Sequence, residues 1–523
     1  MLVNTVRPLT GDLCVDSPGY CDWYDKTTGN ISSLYQLDAF DWTVLIVYFG
    51  ILTVLAIYGV YRVKQVSEFW RYSRFPPKPK GEFKPADLPL ITVQLPLFNE
   101  MYVVERLLDA VAQIRYPRDR FQIQVLDDST DVTSDLAAAV VEEMRREGRD
   151  IRHIRRSSRQ GFKAGALAAG LAEARGELVA VLDADFLPER SFLLDLVPCF
   201  ADPRIGMAQA RWGHLNRDYS ILTRCQAIFL DGHFVIESAA RHRASRFFNF
   251  NGTAGLWRRS CIESAGGWQS DTLTEDLDLS YRAQLQGWEF AFVPRVVVPA
   301  ELPADIDSFR AQQHRWTMGS IQTARKILPR LLRARLPVPV KIEALFHLTG
   351  NLPYALMILL ALLIVPAVVL RSEAGLPALL ALDVPLFVLT TLAVMAFYLG
   401  AQRLVREDWR RTLRDLPMAM CLGVGLSLSN SRAIAAALLG LSREFARTPK
   451  HRLVGRSGHR ERSIERTTAG RPWRAVELLA GAWFAGAAAW AMLSGHYAPL
   501  PLFLLFLAGC LVRPILVLAE KTS

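Results

Sequence analysis

The chain has 523 residues, 51% of them hydrophobic, and a formal net charge of +10 at pH 7. This length allows more than one domain with a full core. The basic residues crowd beside long uncharged runs, as the positive-inside bias of membrane proteins predicts, and no aromatic RNA-binding signature accompanies them. The charge pattern therefore argues against nucleic acid as a partner and predicts a membrane protein with one large soluble insert.

The amino-terminal region predicts a tail and then one membrane crossing. Residues 1–41 are polar and slightly acidic, and we interpret them as a non-cytoplasmic tail without a cleaved signal peptide. Cys14 and Cys21 could form a disulfide there in an oxidising compartment, or could remain free thiols. Residues 42–62 are uncharged until Arg62. At about 1.5 Å per residue they can cross a ~30 Å hydrocarbon layer, and the basic flank places the next segment of the chain in the cytoplasm.

Residues 85–303 change to short apolar runs separated by polar helical stretches. This alternation predicts βαβ units and a mostly parallel sheet, which is an α/β fold. The predicted strands are Ile91–Pro96, Gln122–Leu126, Ile151–Ile154 and Leu178–Leu182. Ligands of such sheets bind beyond the carboxyl ends of the strands. Asp127 and Asp183 each come directly after a predicted strand, so we expect their side chains at the same edge.

Asp183 and Asp185 are spaced for binding a divalent cation. In an extended segment, residues i and i+2 point the same way, so the two carboxylates converge after an apolar strand. Like charges held close need a cation between them, and Mg²⁺ or Mn²⁺ bridging to phosphate oxygens supplies one. The alternative is a pair of ordinary acids in a helix cap or loop.

Two further groups suit a nucleotide. The carboxylates of Asp127 and Asp128 can accept hydrogen bonds from a nucleobase or ribose, although Asp-Ser is also ordinary turn chemistry. Lys163 lies between two glycines ahead of an alanine-rich helix, 164–175. A lysine and free backbone N–H groups at a helix start suit a diphosphate, although a plain helix start explains the same pattern.

The segment from Thr274 to Trp316 carries candidates for the chemistry itself. Asp276 lies at the start of a predicted helix, 275–286, where an acid can serve as a helix cap or as a general base. Gln312, Arg315 and Trp316 share one helix face at i, i+3 and i+4. Arginine can pair with phosphate and indole can stack on a sugar ring, although an interfacial helix with a tryptophan at headgroup level would look similar.

The rest of the chain predicts a membrane domain. Residues 304–340 are amphipathic and rich in arginine, which is typical of helices on the cytoplasmic surface of the bilayer. Residues 344–441 predict a membrane hairpin and then a segment, 416–441, that is broken by polar residues. A single crossing there would place the basic stretch 442–474 outside, so we predict an interfacial or re-entrant segment. With a final hairpin at 475–518, the prediction is five crossings, with the amino terminus outside and the carboxyl terminus inside.

A set of motifs in this order is recognisable. They are Leu95–Glu100, Asp127–Asp131, Phe162–Leu167, Asp183–Phe186, Asn251–Gly255, Thr274–Asp276 and Gln312–Trp316. Over roughly residues 85–455 the chain resembles the processive membrane glycosyltransferases of family 2, related to cellulose and hyaluronan synthases. It is most similar to the plant cellulose-synthase-like A and C groups. The resemblance implies a GT-A (Rossmann-like) catalytic domain inserted in an α-helical transmembrane domain, a nucleotide-sugar donor and a divalent metal.

The resemblance also implies a role for each candidate residue. Asp276 would be the catalytic base, with Thr274 and Glu275 beside it. The implied donor-binding residues are Asp127, Asp128, Lys163, Asp183, Gln312, Arg315 and Lys450. The implied acceptor-binding residues are Asn251, Gly252, Thr253 and Trp316. Asp185 and Asp183 would hold Mg²⁺ or Mn²⁺, and the stretch 445–450 resembles a gating loop that closes over the donor.

We therefore expect an inverting, processive enzyme that polymerises hexose from GDP-mannose or UDP-glucose and exports the product. The product would be a β-1,4-linked polysaccharide, either mannan or glucomannan or a glucan, growing on a polysaccharide acceptor beside the lipid bilayer. The alternatives are a non-processive enzyme that glycosylates a membrane lipid, similar to ceramide glucosyltransferases, and a non-catalytic transporter or scaffold. Unlike bacterial cellulose synthases, the chain has one predicted crossing before the catalytic domain and no cyclic-dinucleotide domain. Donor sugar, linkage and oligomeric state stay open.

Overall fold

The α/β segment is built on one sheet. The computed structural model describes residues 37–73, 83–84, 87–374, 377–441, 450–455 and 471–522. The strands are β1 (Ile91–Leu97), β2 (Phe121–Asp127), β3 (Asp150–Arg155), β4 (Leu178–Val181), β5 (Ile205–His214), β6 (Gly255–Arg258) and β7 (Glu289–Ala300). They form a seven-stranded sheet in the order β3-β2-β1-β4-β6-β5-β7.

The mixed character of the sheet confirms the predicted fold class. Strand β6 runs antiparallel to β4 and β5, and the other pairings in the described sheet are parallel. The four strands predicted from the sequence correspond to β1–β4, with ends that differ by at most one residue. Strands β5, β6 and β7 were not predicted. Arginine and tryptophan in β5 and two prolines in β7 interrupt the apolar pattern.

The helices surround this sheet and continue beyond it. In chain order they are α1 (Ala39–Arg71), α2 (Val104–Ala112), α3 (Thr133–Arg146), α4 (Phe162–Glu173), α5 (Phe192–Leu196), α6 (Ile221–Asp231), α7 (Ala239–Arg243), α8 (Arg259–Ser264), α9 (Glu275–Leu285), α10 (Ile306–Arg333), α11 (Val338–Leu348), α12 (Leu352–Glu373), α13 (Pro377–Val405), α14 (Thr412–Gly425), α15 (Ser427–Leu438), α16 (Arg471–Leu493) and α17 (Leu500–Thr522). A π-helical segment, Gly232–Ser238, joins α6 to α7.

The central strands are buried on both faces, which explains their uninterrupted apolar sequence. In β4, Leu178 and Ala180 join the core on one side of the sheet, with helices α2, α3 and α5. Val179 and Val181 join the core on the other side, with α4, α7, α8 and α9. Because both faces are covered, the carboxyl ends of the strands are the part of the sheet that is open to a ligand.

The first long helix links the membrane domain to the catalytic domain. Helix α1 extends to Arg71, well past the predicted end of the crossing at residue 62. Its last turns pack on the α/β segment, where Phe69 joins the core. The guanidinium of Arg243 lies 4.3 Å from the Phe69 ring centroid, and its Nη1 donates a hydrogen bond to the Phe69 carbonyl. This helix therefore positions the sheet relative to the bilayer.

Six helical segments of the described chain are long and apolar enough to cross a membrane, which indicates an integral membrane protein. They are Ala39–Arg71, Leu352–Glu373, Leu382–Val405, Trp409–Leu438, Ala475–Leu493 and Leu500–Val517. Five of these correspond to the predicted crossings. The start of the membrane hairpin predicted from residue 344 is divided, because α11 ends at Leu348 and α12 starts at Leu352.

The sixth segment includes the run that we predict to be interfacial. Its length and composition suffice for a crossing. Its helices α14 and α15 also pack against α6 of the α/β segment and against α10, as well as against α12 and α17. Arg224 of α6 pairs with Asp415 of α14, with Nε and Oδ2 2.9 Å apart. These contacts with the catalytic domain favour an interfacial position, which stays a prediction.

Some predictions fall on residues that the structure does not describe. These are the tail up to residue 36, with Cys14 and Cys21, and the basic loop except for residues 450–455 and its last turn of helix. The stretch 445–449 of the resembled gating loop is among them, so Lys450 is the described residue of that motif.

Candidate active site

One cleft at the carboxyl ends of the strands collects most of the predicted site. The predicted residues that line it are Asp128, Lys163, Asp183, Asp185, Asn251, Gly252, Thr274, Glu275, Asp276, Gln312, Arg315, Trp316 and Lys450. Asp127 and Thr253 do not line it. Groups separated by more than three hundred positions in the sequence thus share one opening.

The Asp183 end of the cleft is held by Lys163 and the Asn251–Thr253 loop. Lys163 Nζ donates hydrogen bonds to Asp183 Oδ1 at 2.5 Å and to the Gly252 carbonyl at 3.0 Å. Thr253 Oγ1 is buried and accepts the Asp183 N–H at 2.8 Å. Burial alone would lower the pKa of Lys163, but the carboxylates of Asp183 and Glu275 outweigh it and raise that pKa above its ordinary value. The ammonium is therefore charged at neutral pH.

Asp185 lies deeper and is contacted by Lys450 and Glu301. Asp185 Oδ2 accepts hydrogen bonds from Lys450 Nζ at 2.7 Å and from the Glu301 N–H at 3.2 Å. Both bonds use the same oxygen, so Oδ1 has no hydrogen bond within the described part of the chain. The side chain is buried, and a buried carboxylate needs a cation or hydrogen-bond donors nearby. In this structure the Lys450 ammonium supplies that charge.

The donor set fits a divalent cation, although no cluster of three or more metal-binding side chains is found among the described residues. Asp183 and Asp185 offer carboxylate oxygens in one cleft, and a donor diphosphate would add further oxygens. Oxygen ligands are what Mg²⁺ prefers, and it is typically bound by one or two carboxylates plus substrate phosphates. A two-carboxylate site therefore suits a metal that binds together with a nucleotide.

Asp276 has one oxygen available for a substrate. Its Oδ1 accepts the Leu277 N–H at 2.8 Å, within the first turn of α9. A Cβ atom added to Gly252 would lie 3.0 Å from Oδ2, so this oxygen faces the Asn251–Thr253 loop, which we call the acceptor loop. Burial, with a further contribution from repulsion by the Glu275 carboxylate, raises the pKa of Asp276 to about 7. A carboxylate with this pKa is a better general base at neutral pH than an ordinary aspartate.

Helix α10 packs directly on the segment that carries Asp276. A Cβ atom on Gly319 would lie 2.8 Å from the Thr274 nitrogen. Because glycine has no side chain, α10 can approach the backbone of Thr274 this closely. Gln322 Oε1 accepts the Leu273 N–H at 2.9 Å, and the hydroxyls of Thr274 and Thr323 lie 3.2 Å apart. The helix that carries Gln312, Arg315 and Trp316 is therefore fixed relative to the candidate base.

The half-buried face of α10 that lines the cleft carries a cationic and an aromatic side chain. Burial lowers the pKa of Arg315, although the carboxylates of Glu275, Asp183 and Asp276 lie near it and favour its charged form. Trp316 lies beside Trp212 of β5, with ring centroids 6.4 Å apart. The cleft thus has an anion-binding side chain next to an aromatic wall, as a donor diphosphate and an acceptor sugar would require.

At the end of β2 the two acids have different surroundings. Asp127 is buried, its carboxylate accepting from the Ser129 N–H at 2.8 Å and lying 2.9 Å from His153 Nε2. Burial alone would raise the pKa of Asp127, but these hydrogen bonds hold it below its usual range. Asp128 lines the cleft, and its two carboxylate oxygens accept hydrogen bonds from Nε and Nη2 of Arg156. Direct contact of Asp127 with a donor stays a prediction.

Several cleft residues were missed from the sequence. They are Arg159, Trp212, His214 and Glu301. His214 ends β5 and Glu301 comes directly after β7, so the same strand-end rule would have found both residues had these two strands been predicted. Arg159 lies with its guanidinium 3.3 Å from the Phe98 ring centroid, a contact between two loops that has no signal in the sequence.

Comparisons with known proteins agree with this geometry. Residues 89–319 match the family model described as "Glycosyltransferase like family 2". The chain is 41% identical over 263 residues to a probable glucomannan 4-beta-mannosyltransferase 7 of Oryza sativa subsp. japonica, covering 49% of this chain and 44% of the relative. It is 34% identical over 343 residues to glucomannan 4-beta-mannosyltransferase 1 of Cyamopsis tetragonoloba, covering 64% and 65%. The matched part thus spans less than two thirds of these relatives.

A solved structure shows a more distant similarity. The mannosyltransferase PcManGT from Pyrobaculum calidifontis, in complex with GDP-Man and Mn²⁺, is 20% identical with a TM-score of 0.49. The alignment covers 75% of this chain and 99% of that one. The family match itself covers strands β1–β7 and the cleft as far as Trp316. Residues 89–319 of this chain are therefore a glycosyltransferase domain of family 2.

Proposed function

We propose that this protein is an inverting, processive membrane glycosyltransferase that builds a β-1,4-linked polysaccharide, either mannan or glucomannan, and exports it. The observation that carries the proposal is the shared cleft. Asp276 lines it together with the carboxylates of Asp183 and Asp185 and the aromatic side chain of Trp316. A sugar transfer needs this combination: a base, groups for a leaving diphosphate, and a surface for the acceptor ring.

The chemistry is a single displacement. The acceptor hydroxyl forms its bond to the anomeric carbon of the donor while the bond from that carbon to the diphosphate breaks. Asp276 Oδ2 takes the hydroxyl proton. Lys163 and Arg315 neutralise charge that develops on the leaving diphosphate. Because one attack on the opposite face replaces the leaving group, an α-linked donor gives a β-linked product, which is the inversion that we predict.

Asp183 and Asp185 would hold a Mg²⁺ or Mn²⁺ ion against the donor. Bound there, the ion would supply positive charge for the diphosphate. Lys450, which contacts Asp185 in this structure, would then pair with phosphate oxygens at the same place.

The arrangement of α10 supports transfer of the product into the membrane domain. Its cleft-lining residues, Gln312, Arg315 and Trp316, lie directly before Thr317 and Ser320 in the same helix. Thr317 lies 3.4 Å from Asn351 at the start of α12, and Ser320 Oγ donates to the Leu348 carbonyl at 3.2 Å. Helix α15 packs along the same helix. The acceptor end of the cleft therefore adjoins helices of the bilayer, with the catalytic domain on the cytoplasmic side as the basic flanks predict.

The relatives favour mannose as the transferred sugar, since both are described as glucomannan 4-beta-mannosyltransferases. Purified protein should be incubated with radiolabelled GDP-mannose or UDP-glucose, and the product digested with linkage-specific hydrolases. We expect a high-molecular-mass, mannanase-sensitive polymer from GDP-mannose. A glucan made from UDP-glucose would show that the donor is UDP-glucose. A lipid carrying a single sugar would show that the protein is a lipid glycosyltransferase and not a polymerase. Absence of metal-dependent turnover of both donors would refute the proposal that the protein is a glycosyltransferase.

A further inference from the structure

Residues 450–453 are held against the cleft by one buried carboxylate. Glu301, the first residue after β7, is 4% exposed. Its Oε1 accepts the His451 N–H at 2.8 Å and its Oε2 accepts the Leu453 N–H at 3.0 Å. Its backbone carbonyl accepts a hydrogen bond from Lys450 Nζ at 3.1 Å. A single residue therefore contacts three of the four residues in this stretch.

The same residue contacts the acid that Lys450 pairs with. The Glu301 N–H donates to Asp185 Oδ2 at 3.2 Å, and Lys450 Nζ donates to that same oxygen at 2.7 Å. Glu301 thus fixes both members of the ion pair: Asp185 through its backbone N–H, and Lys450 through its carbonyl and through the adjacent residues 451 and 453. The geometry of the Lys450–Asp185 ion pair therefore depends on Glu301 at both of its members.

Other contacts hold the far end of the stretch, and the rings of His451 and Tyr102 lie with their centroids 6.5 Å apart. Leu453 is fully buried, and the Gly455 N–H donates to the Leu215 carbonyl at 2.7 Å. These interactions would keep residues 453–455 in place without Glu301. Neither the Gly455 hydrogen bond nor the ring contact of His451 involves the ammonium of Lys450. A carboxylate buried at this position costs free energy, and Arg106, 3.9 Å away, offsets part of it.

We propose that Glu301 is a positioning residue for donor binding. By accepting the N–H groups of His451 and Leu453, it sets the ammonium of Lys450 beside Asp185, at the diphosphate end of the cleft. The inference rests on the proposed function, since it takes Lys450 and Asp185 to contact the donor. Glu301 itself acts through Lys450, not through the reacting atoms.

The first test measures the anchoring without any nucleotide. Hydrogen exchange of the full chain in lipid nanodiscs is compared for wild type, Glu301→Gln and Asp202→Asn. Asp202 is a buried carboxylate that also accepts a backbone N–H, that of Arg204. It precedes β5 and therefore lies at the amino-terminal end of the strands, away from the cleft. We expect faster exchange at residues 451–453 in the Glu301 variant alone. Unchanged exchange there would overturn the proposal.

The second test asks whether Glu301 acts through Lys450. Binding of GDP and of UDP in the presence of Mn²⁺ is measured for Glu301→Gln, Lys450→Ala and the double variant. We expect each single variant to bind about tenfold more weakly, the factor that corresponds to one hydrogen bond to a charged group, and the double variant to match Lys450→Ala. Losses that simply add would overturn the proposal.

The two tests separate this inference from the proposed function. If wild-type protein binds neither diphosphate, the proposed function fails and the donor role of Glu301 fails with it, while the exchange result still decides the anchoring. If Glu301→Gln does not fold, Glu301→Asp gives the same comparison, because it keeps the charge but shortens its reach by one methylene. Normal diphosphate binding with slow exchange at 451–453 in that variant would also overturn the proposal.

Discussion

Gly252 and Asp276 meet without room for a methyl group between them. A Cβ atom on Gly252 would lie 3.0 Å from Asp276 Oδ2 and 3.5 Å from Lys163 Nζ. Gly252 also has a φ of +81°, in the left-handed region that favours glycine. One glycine therefore brings the acceptor loop, the candidate base and the cation of the diphosphate site together.

Gly252→Ala should disable the enzyme more than it destabilises the fold. The left-handed conformation costs alanine roughly 1–2 kcal/mol. The new methyl also pushes on Asp276, and a displacement of about 1 Å at a catalytic group can reduce the rate about 100-fold. Sugar incorporation and thermal unfolding of the same preparations measure the two effects.

Gly267→Ala is the matched control for this variant. Gly267 has a φ of +69°, and nothing lies within 4 Å of an added Cβ. It should show the same backbone strain with nearly wild-type turnover. If both variants lose activity equally, the loss at Gly252 comes from strain and not from contact with Asp276.

Asp276→Asn should stop transfer while leaving donor binding intact. The amide keeps the shape of the side chain but cannot take the acceptor proton, and loss of a general base costs about 10²–10⁴ in rate. Turnover and equilibrium binding of the nucleoside diphosphate check the two halves of this expectation. Asp271→Asn removes a nearby acid that pairs with Lys326 outside the cleft, and it should retain activity. Substantial turnover in Asp276→Asn would rule the residue out as the base.

The pH dependence of turnover should report Asp276. Its pKa is raised to about 7 by burial and then by the Glu275 carboxylate. Since only the ionised form accepts a proton, kcat/KM should fall about tenfold per pH unit below the pKa and level off above it. Glu275→Gln removes the second of these causes, so the inflection should move to lower pH. A pH profile from about 5.5 to 9 for both proteins checks this expectation, and a shift to higher pH in the variant would contradict it.

The sequence predicted the central sheet and the membrane helices better than the walls of the cleft. Strands β1, β2 and β4 are almost completely buried, so their largely apolar runs are distinctive. Asp185 and Asp276, which line the cleft, could be named as candidates because they stand near element ends. Glu301 could not, because the prolines of β7 hide the strand that delivers it. The burial of Asp127 behind Asp128 also depends on His153 of a neighbouring strand, a pairing that no local pattern encodes.

Gly319→Ala should impair the enzyme although alanine favours helices. In the interior of α10, alanine alone would stabilise by about 1 kcal/mol over glycine. However, the added Cβ would lie 2.6 Å from Thr274 Cγ2 and 2.8 Å from the Thr274 nitrogen, and the backbone atom has little room to move. Overpacking of this kind costs about 1–3 kcal/mol and would shift α9 with Asp276. Gly423→Ala in α14 is the control, since nothing lies within 4 Å of its added Cβ. We expect the thermal unfolding temperature and turnover to fall in Gly319→Ala and to stay the same or rise in Gly423→Ala. Equal behaviour of the two variants would show that α10 does not position Asp276 through Thr274.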